Sequence, residues 1–316
     1  MSTRLTIAYD GSSSAATALR VAAGLFPTAR ASIVTVPATT PMGATAASRW
    51  MLNVGTEVVQ QALDEISAEA SEQARATATE GVKRAAAAGL QAEPVVTRSH
   101  APTWEALLAS AHDQRADALV CGARGRSGFA RTLLGSTSTS LLHHADLPLV
   151  VVPDGAGALD GPLLIAYDGS EPARKTIEIA GGFFRGRTAL VVHVWESQYR
   201  HSLTVQTLAS APGNDLRRII GDLANALGDA ATTTTEEGVA LAQKAGLDAT
   251  GETVETTTGV WRTIASLART RDAALIATGA RGIGGARSAL LGSVSSGLIH
   301  NAEVPILIAQ AVTPTL

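Results

Sequence analysis

Short apolar runs alternate with longer amphipathic segments along the whole chain. In the first half, the runs at 4–9, 32–36, 93–97, 118–121 and 148–152 have the length and β-branched content of strands. Between them, apolar residues recur at helical spacing or sit in alanine-rich stretches. That pattern predicts helices over 13–25, within 55–88, over 102–114 and over 136–143. The second half repeats the order, with strands at 163–167, 189–194, 252–256, 274–278 and 305–309. Near-continuous apolar strands belong in a sheet covered on both faces. Their alternation with helices predicts an α/β fold with a parallel, doubly wound sheet in each half. Segments 37–53 and 196–213 lack a clear period. They are expected as loops or flaps over the carboxyl edge of the sheet, where open α/β sheets take their ligands.

The repetition extends to the wording of the motifs. The first strand and its turn read LTIAYDGS at 5–12 and LLIAYDGS at 163–170. GARG stands at 122–125 and again at 279–282, and Leu-Gly-Ser follows at 134–136 and 291–293. Each half closes alike, HHADLPLVVV at 143–152 and HNAEVPILIA at 300–309, and Trp104 and Trp261 precede the GARG motifs at matching places. A repeat of half the chain is a duplicated domain rather than a solenoid unit. The expected domains are 1–153 and 162–316, joined by a turn-rich linker at 154–161. Gly155 and Gly157 in that linker lie between two strands, so they lack the strand-turn-helix setting of a dinucleotide fingerprint.

Composition narrows the function. Aromatic residues are 3% of the 316, so the core must be built from Val, Ile, Leu and Ala. A formal net charge of −3 gives no global basic field for nucleic acid. One cysteine, Cys121, rules out an intrachain disulfide and reads as a packed residue beside Gly122. The opening residues form a strand rather than a signal peptide, and no apolar run is long enough for a membrane span. The expected location is the cytoplasm. There is no Gly-Lys dipeptide and hence no P-loop, and no Gly-x-Ser-x-Gly nucleophile elbow. The histidines show no metal-ligand spacing, and no residue stands out as a catalytic base.

The chemistry lies in the glycines. The run at 118–121 delivers the chain to the carboxyl edge, where Gly122 and Gly125 are expected to allow positive φ and close approach of the backbone to a ligand. Gly135 and Ser136 then open a helix whose first turn has unpaired N–H groups and a positive dipole end. The hydroxyls of Ser136, Thr137 and Ser138 can add donors, and Arg124, with Arg126 or Arg131, supplies charge. These groups make a phosphate cradle without lysine. Gly279, Arg281, Gly282, Gly292, Ser293, Val294 and Ser295 repeat it. Two ordinary glycine turns with a serine N-cap are the plain alternative. Asp10 and Asp168 close the first strands, either as ligand acceptors or as helix caps.

A first strand ending in Asp-Gly-Ser, with Gly-x-x-Gly, nine residues and Gly-Ser, resembles the universal stress protein family in its tandem form. The resemblance covers nearly the whole chain. It implies five parallel strands in the order 3-2-1-4-5 in each domain, and binding of ATP, with or without Mg2+, by members with this motif. It also implies that Asp10 and Asp168 contact the adenosine, and that Val36 and Val194, ending the second strands, meet the adenine through their backbone. The glycines and serines would hold ribose and phosphates. Members of the family pair through their last strands, so 148–152 and 305–309 are expected to pair within the chain as a pseudo-dimer, with a homodimer as a further possibility. The expected function is ATP-dependent regulation of conformation or of an unidentified protein partner, with no role for nucleic acid or membrane. A slow ATPase or nucleotide-dependent enzyme of the adenine α-hydrolase class, and an interaction module that binds no nucleotide, are the alternatives.

Overall fold

The computed structural model describes residues 2–37, 56–97, 101–125, 134–157, 159–196, 216–280 and 291–310. Most of the two expected flap segments, Arg126, Arg131, Arg281 and Gly282 lie outside the described residues.

The first repeat contributes β1 (Arg4–Ala8), α1 (Ser13–Leu25), β2 (Arg30–Thr35), α2 (Thr56–Ala87), β3 (Gln91–Val96), α3 (Thr103–Asp113), β4 (Ala118–Gly122), α4 (Ser136–His144) and β5 (Leu149–Val152). The second contributes β6 (Leu163–Ala166), α5 (Glu171–Phe183), β7 (Thr188–Glu196), α6 (Leu216–Lys244), β8 (Asp248–Thr256), α7 (Val260–Thr270), β9 (Leu275–Gly279), α8 (Ser293–Asn301) and β10 (Ile306–Ala309). The chain divides into two compact units, Met1–Gly128 with Gly135–Leu141, and Phe129–Leu134 with Leu142–Leu316.

In the first unit β1 pairs in parallel with β2 and β4, and β2 with β3, giving the order β3-β2-β1-β4. In the second unit the parallel order β8-β7-β6-β9-β10 is that of a doubly wound sheet. β5 is counted with this unit and pairs antiparallel with β10, Leu149 opposite Ile308 and Val151 opposite Ile306. The central strands are sealed: Ile7, Leu119, Leu163, Ile165 and Leu307 have at most 1% of their surface exposed. Burying each such side chain contributes about 1.5–3 kcal/mol.

The strand-to-helix turns form for local reasons. Gly11 and Gly169 have φ of +81° and +79°, a conformation glycine adopts without a Cβ penalty. The next serine caps the helix in each case. Ser12 Oγ accepts from Ala15 N at 3.1 Å, and Ser170 Oγ accepts from Ala173 N at 3.3 Å.

β8 begins at Asp248, four residues before the apolar pattern suggests, and that stretch holds Asp248 and Gly251, residues that strands disfavour. Pairing with β7 overrides that local preference, from Thr188 opposite Asp248 to Glu196 opposite Thr256. Gly251 lets α6 approach: a Cβ there would lie 2.7 Å from Thr235 Cγ2 and 2.8 Å from Val239 Cγ2.

Glycines inside the long helices serve the same end. A Cβ at Gly81 would lie 2.7 Å from Ile33 Cγ2 and 2.8 Å from Tyr9 Cδ1; at Gly238 it would lie 2.6 Å from Tyr167 Cδ1. Gly81→Ala and Gly238→Ala should therefore each destabilise the protein by about 1–2 kcal/mol in chemical denaturation, although alanine is the better helix former. Gly182→Ala, where an added Cβ meets nothing within 4 Å, should stabilise by about 0.5–1 kcal/mol.

Candidate functional site

β1 and β4 lie side by side and end at the same edge of the sheet. β1 delivers Asp10, whose Oδ1 accepts from Ser12 N at 3.0 Å. That bond fixes the carboxylate over the start of α1. β4 delivers Gly122, where an added Cβ would sit 2.5 Å from Ser14 Oγ and 2.9 Å from the Ser14 carbonyl carbon. At Gly125 it would lie 3.2 Å from Asp10 Oδ2. Neither glycine has the positive φ expected from the sequence. What demands glycine at 122 is close packing of the loop on the first turn of α1.

The loop returns to open α4. Gly135 N donates to Ala123 O at 2.9 Å, and Thr139 N donates to Gly135 O at 2.9 Å. The N–H groups of Ser136, Thr137 and Ser138 belong to the first helical turn, which has no acceptors of its own to offer them. Ser138 has a role the sequence does not announce. Its buried hydroxyl donates to Gly122 O at 2.8 Å, so its proton anchors the loop. Arg124 N donates to Ser14 Oγ at 3.3 Å, a second tie.

A cavity of about 620 Å³ opens at this edge of the first unit. Asp10, Val36, Gly122, Arg124, Gly125, Gly135, Ser136, Thr137 and Ser138 all line it. Those nine are the residues singled out in the first repeat. Pro102, Thr103 and Leu107 complete a wall that sequence reading missed. They come from the N-cap and first turns of α3, which carry no glycine motif. Among the described lining residues Asp10 is the one carboxylate and Arg124 the one cation.

β2 ends at Thr35, one residue before Val36. Tyr9 N donates to Val34 O at 2.9 Å and Thr97 N donates to Thr35 O at 3.3 Å. Val36 follows directly on that strand end and lines the same cavity as Asp10.

The second repeat copies much of this. Asp168 Oδ1 accepts from Ser170 N at 3.0 Å. Ser295 Oγ donates to Gly279 O at 2.6 Å, and Gly292 N donates to Ala280 O at 2.9 Å. Ser293 and Val294 open α8 as Ser136 and Thr137 open α4. The second strand differs. Val194 is inside β7 rather than at its end, because the ladder to β8 continues through Trp195 and Glu196. At the place of Trp195 the first repeat has Pro37, which has no N–H to continue a ladder. The hydroxyl of Thr35 donates to Tyr9 O at 2.8 Å, whereas His193 Nδ1 lies 2.8 Å from Tyr167 O.

A model of the universal stress protein family matches residues 1–153 and 161–310. The chain belongs to the universal stress protein family. A universal stress protein of Mycobacterium tuberculosis is 29% identical over 201 residues, and one of Mycolicibacterium smegmatis is 31% identical over 205. Each match spans 62% of this chain and 62% of the relative's length. The crystal structure of a universal stress protein from Archaeoglobus fulgidus superposes with a TM-score of 0.64 at 19% identity, covering 98% of this chain and 99% of that one. At that identity the likeness concerns the fold. Among the described residues, no helix of this universal stress protein is long and apolar enough to cross a membrane, and no group of three or more His, Cys, Asp or Glu is placed to hold a metal ion.

Cys121 lines the cavity but is 3% exposed, and burial pushes its thiol up to about 12. The thiolate that reacts with alkylating reagents is therefore scarce at pH 8. Iodoacetamide at that pH should leave the native protein unmodified by mass spectrometry and modify one site per chain after denaturation. Rapid labelling of the native protein would show that the strand end opens.

Proposed function

We propose that this protein is an ATP-binding regulatory protein whose first repeat holds the nucleotide in the cavity at the carboxyl edge of its sheet. The observation that carries the reading is the convergence on one cavity of nine residues, eight singled out by motif chemistry and Val36 by the family resemblance. Its volume falls in the range of small-molecule sites.

The phosphates are assigned to the first turn of α4. The N–H groups there, the Ser136 and Thr137 hydroxyls and the Arg124 guanidinium supply donors and positive charge. Asp10 is assigned to the sugar hydroxyls, as an acceptor held in place by Ser12 N. Val36 offers peptide groups to the base. Mg2+, where it accompanies ATP, travels on the phosphates, since Asp10 is the one carboxylate among the described lining residues. Bound ATP bridges β1, β4 and α4, so occupancy stiffens that edge and alters the surface offered to a partner protein.

The second repeat is proposed as a second nucleotide site, built on Asp168, Val194, Gly279, Arg281, Gly282, Gly292, Ser293, Val294 and Ser295. His193 and Trp195 change its base-facing strand, so its affinity is proposed to differ. The two repeats, 1–153 and 162–316 with a linker at 154–161, are proposed as separate nucleotide-binding domains of a cytoplasmic protein.

Calorimetric titration with ATP tests the assignment. Loss of the Asp10 acceptor removes a charge-assisted hydrogen bond of about 1.5–3 kcal/mol. Asp10→Ala should thus weaken the first site by about ten- to a hundredfold and leave the second unchanged. Equal affinities in Asp10→Ala and wild type, or no heat at millimolar ATP, would overturn it.

A further inference from the structure

We propose that the amino edge of the first unit's sheet, at the opposite end of the strands from the glycine loops, carries a separate site for the oxyanion group of a small molecule. The strand register creates it. Arg4 of β1 is opposite Arg30 of β2, and Arg30 is opposite Gln91 of β3. Residues in register on parallel strands share a face, and neighbouring strands are about 4.8 Å apart. Arg4 and Arg30 therefore leave neighbouring strands on one face, and both side chains are exposed. A cleft of about 370 Å³ opens over them, with Ser32, Glu93 and Gln114 also in its wall.

Like charges in register repel, and a protein gains nothing from that row unless something neutral or negative spans it. Among the described residues neither guanidinium has a carboxylate within 4.0 Å. Glu93 lines the same cleft, and its Oε1 accepts from the Ser32 hydroxyl at 3.4 Å. Asp117 accepts from the backbone N–H of Arg4, at 2.7 Å, and so is engaged on the main chain. Two arginines lining one cleft can bring their forks together on a phosphate or carboxylate. The Gln91 and Gln114 amides extend the donor set. Glu93 keeps one wall negative, so the site suits a single oxyanion group whose remaining atoms include a donor, such as a hydroxyl.

The second repeat shows that the feature is not inherent in the fold. At the places of Arg4 and Arg30 it has Pro162 and Thr188, and Asp248 stands at the place of Gln91. Two arginines near that edge are already occupied. Arg187 donates to the carbonyls of Leu159 and Gly161. Arg271, at the place of Gln114, is paired with Glu252 at 2.9 Å. Among the described residues, the second repeat has no arginine at the places of Arg4 and Arg30.

Amide chemical shifts read during titration of the full chain with inorganic phosphate, and separately with malonate, test the site. At least one of the two should produce saturable shifts at residues 4–5, 30–32 and 91–93, and the tighter of the two identifies phosphate or carboxylate as the group recognised. Arg4→Gln and Arg30→Gln should each raise the midpoint about tenfold, and Arg30→Lys should recover part of the loss. Saturable shifts confined to 122–125 and 135–138, no saturable shift with either anion, or unchanged midpoints in both glutamine variants would overturn the proposal. The outcome is independent of whether ATP binds at the other edge.

Discussion

One short hydrogen bond organises the carboxyl edge of each repeat. The hydroxyl of Ser138 donates to the carbonyl of Gly122, and that of Ser295 to the carbonyl of Gly279. Each joins the first turn of a helix to the last residue of a strand. Both hydroxyls are buried, so an unmade bond would cost about 1–3 kcal/mol. The bond fixes where the helix begins, and therefore where its unpaired N–H groups point. Gly122 makes this possible from the other side. With no Cβ it lets the loop settle against Ser14, whose hydroxyl in turn accepts from Arg124 N. The exposed first turn of the helix in the first repeat and the cavity it lines both follow from that packing.

Much of this was legible in the chain. Repeated motifs located the duplicated halves, and strand-helix alternation predicted a parallel sheet. The order 3-2-1-4-5 came with the family resemblance, and the second unit has that order in full. The nine residues chosen in the first repeat meet in one cavity because Asp10, Gly122 and Ser136 end or begin elements at the same sheet edge. What the sequence hid depends on tertiary context. The early start of β8 is imposed by β7. The role of Gly122 is close packing and not positive φ, a distinction no single sequence can make. The wall formed by Pro102, Thr103 and Leu107 has no motif because it serves by position alone.

The two repeats share a frame and diverge at the edges of their sheets. Pro37 stops the β2 ladder where Trp195 lets β7 continue, and His193 takes the place of Thr35 on the tyrosine carbonyl. At the amino edge Arg4 and Arg30 face a cleft in one repeat, while Arg187 and Arg271 are satisfied internally in the other. Duplication preserved the packing that makes each sheet, and left the ends of the strands free to diverge in sequence.

The claim that the glycine loop and the first turn of α4 hold ATP is tested most directly by hydrogen exchange of those amides with and without the nucleotide. Saturating ATP should slow exchange at 122–125 and 135–138 while leaving the amino edge at 30–32 and 91–93 unchanged. Identical exchange at 122–125 and 135–138 in the presence and absence of ATP would contradict the account.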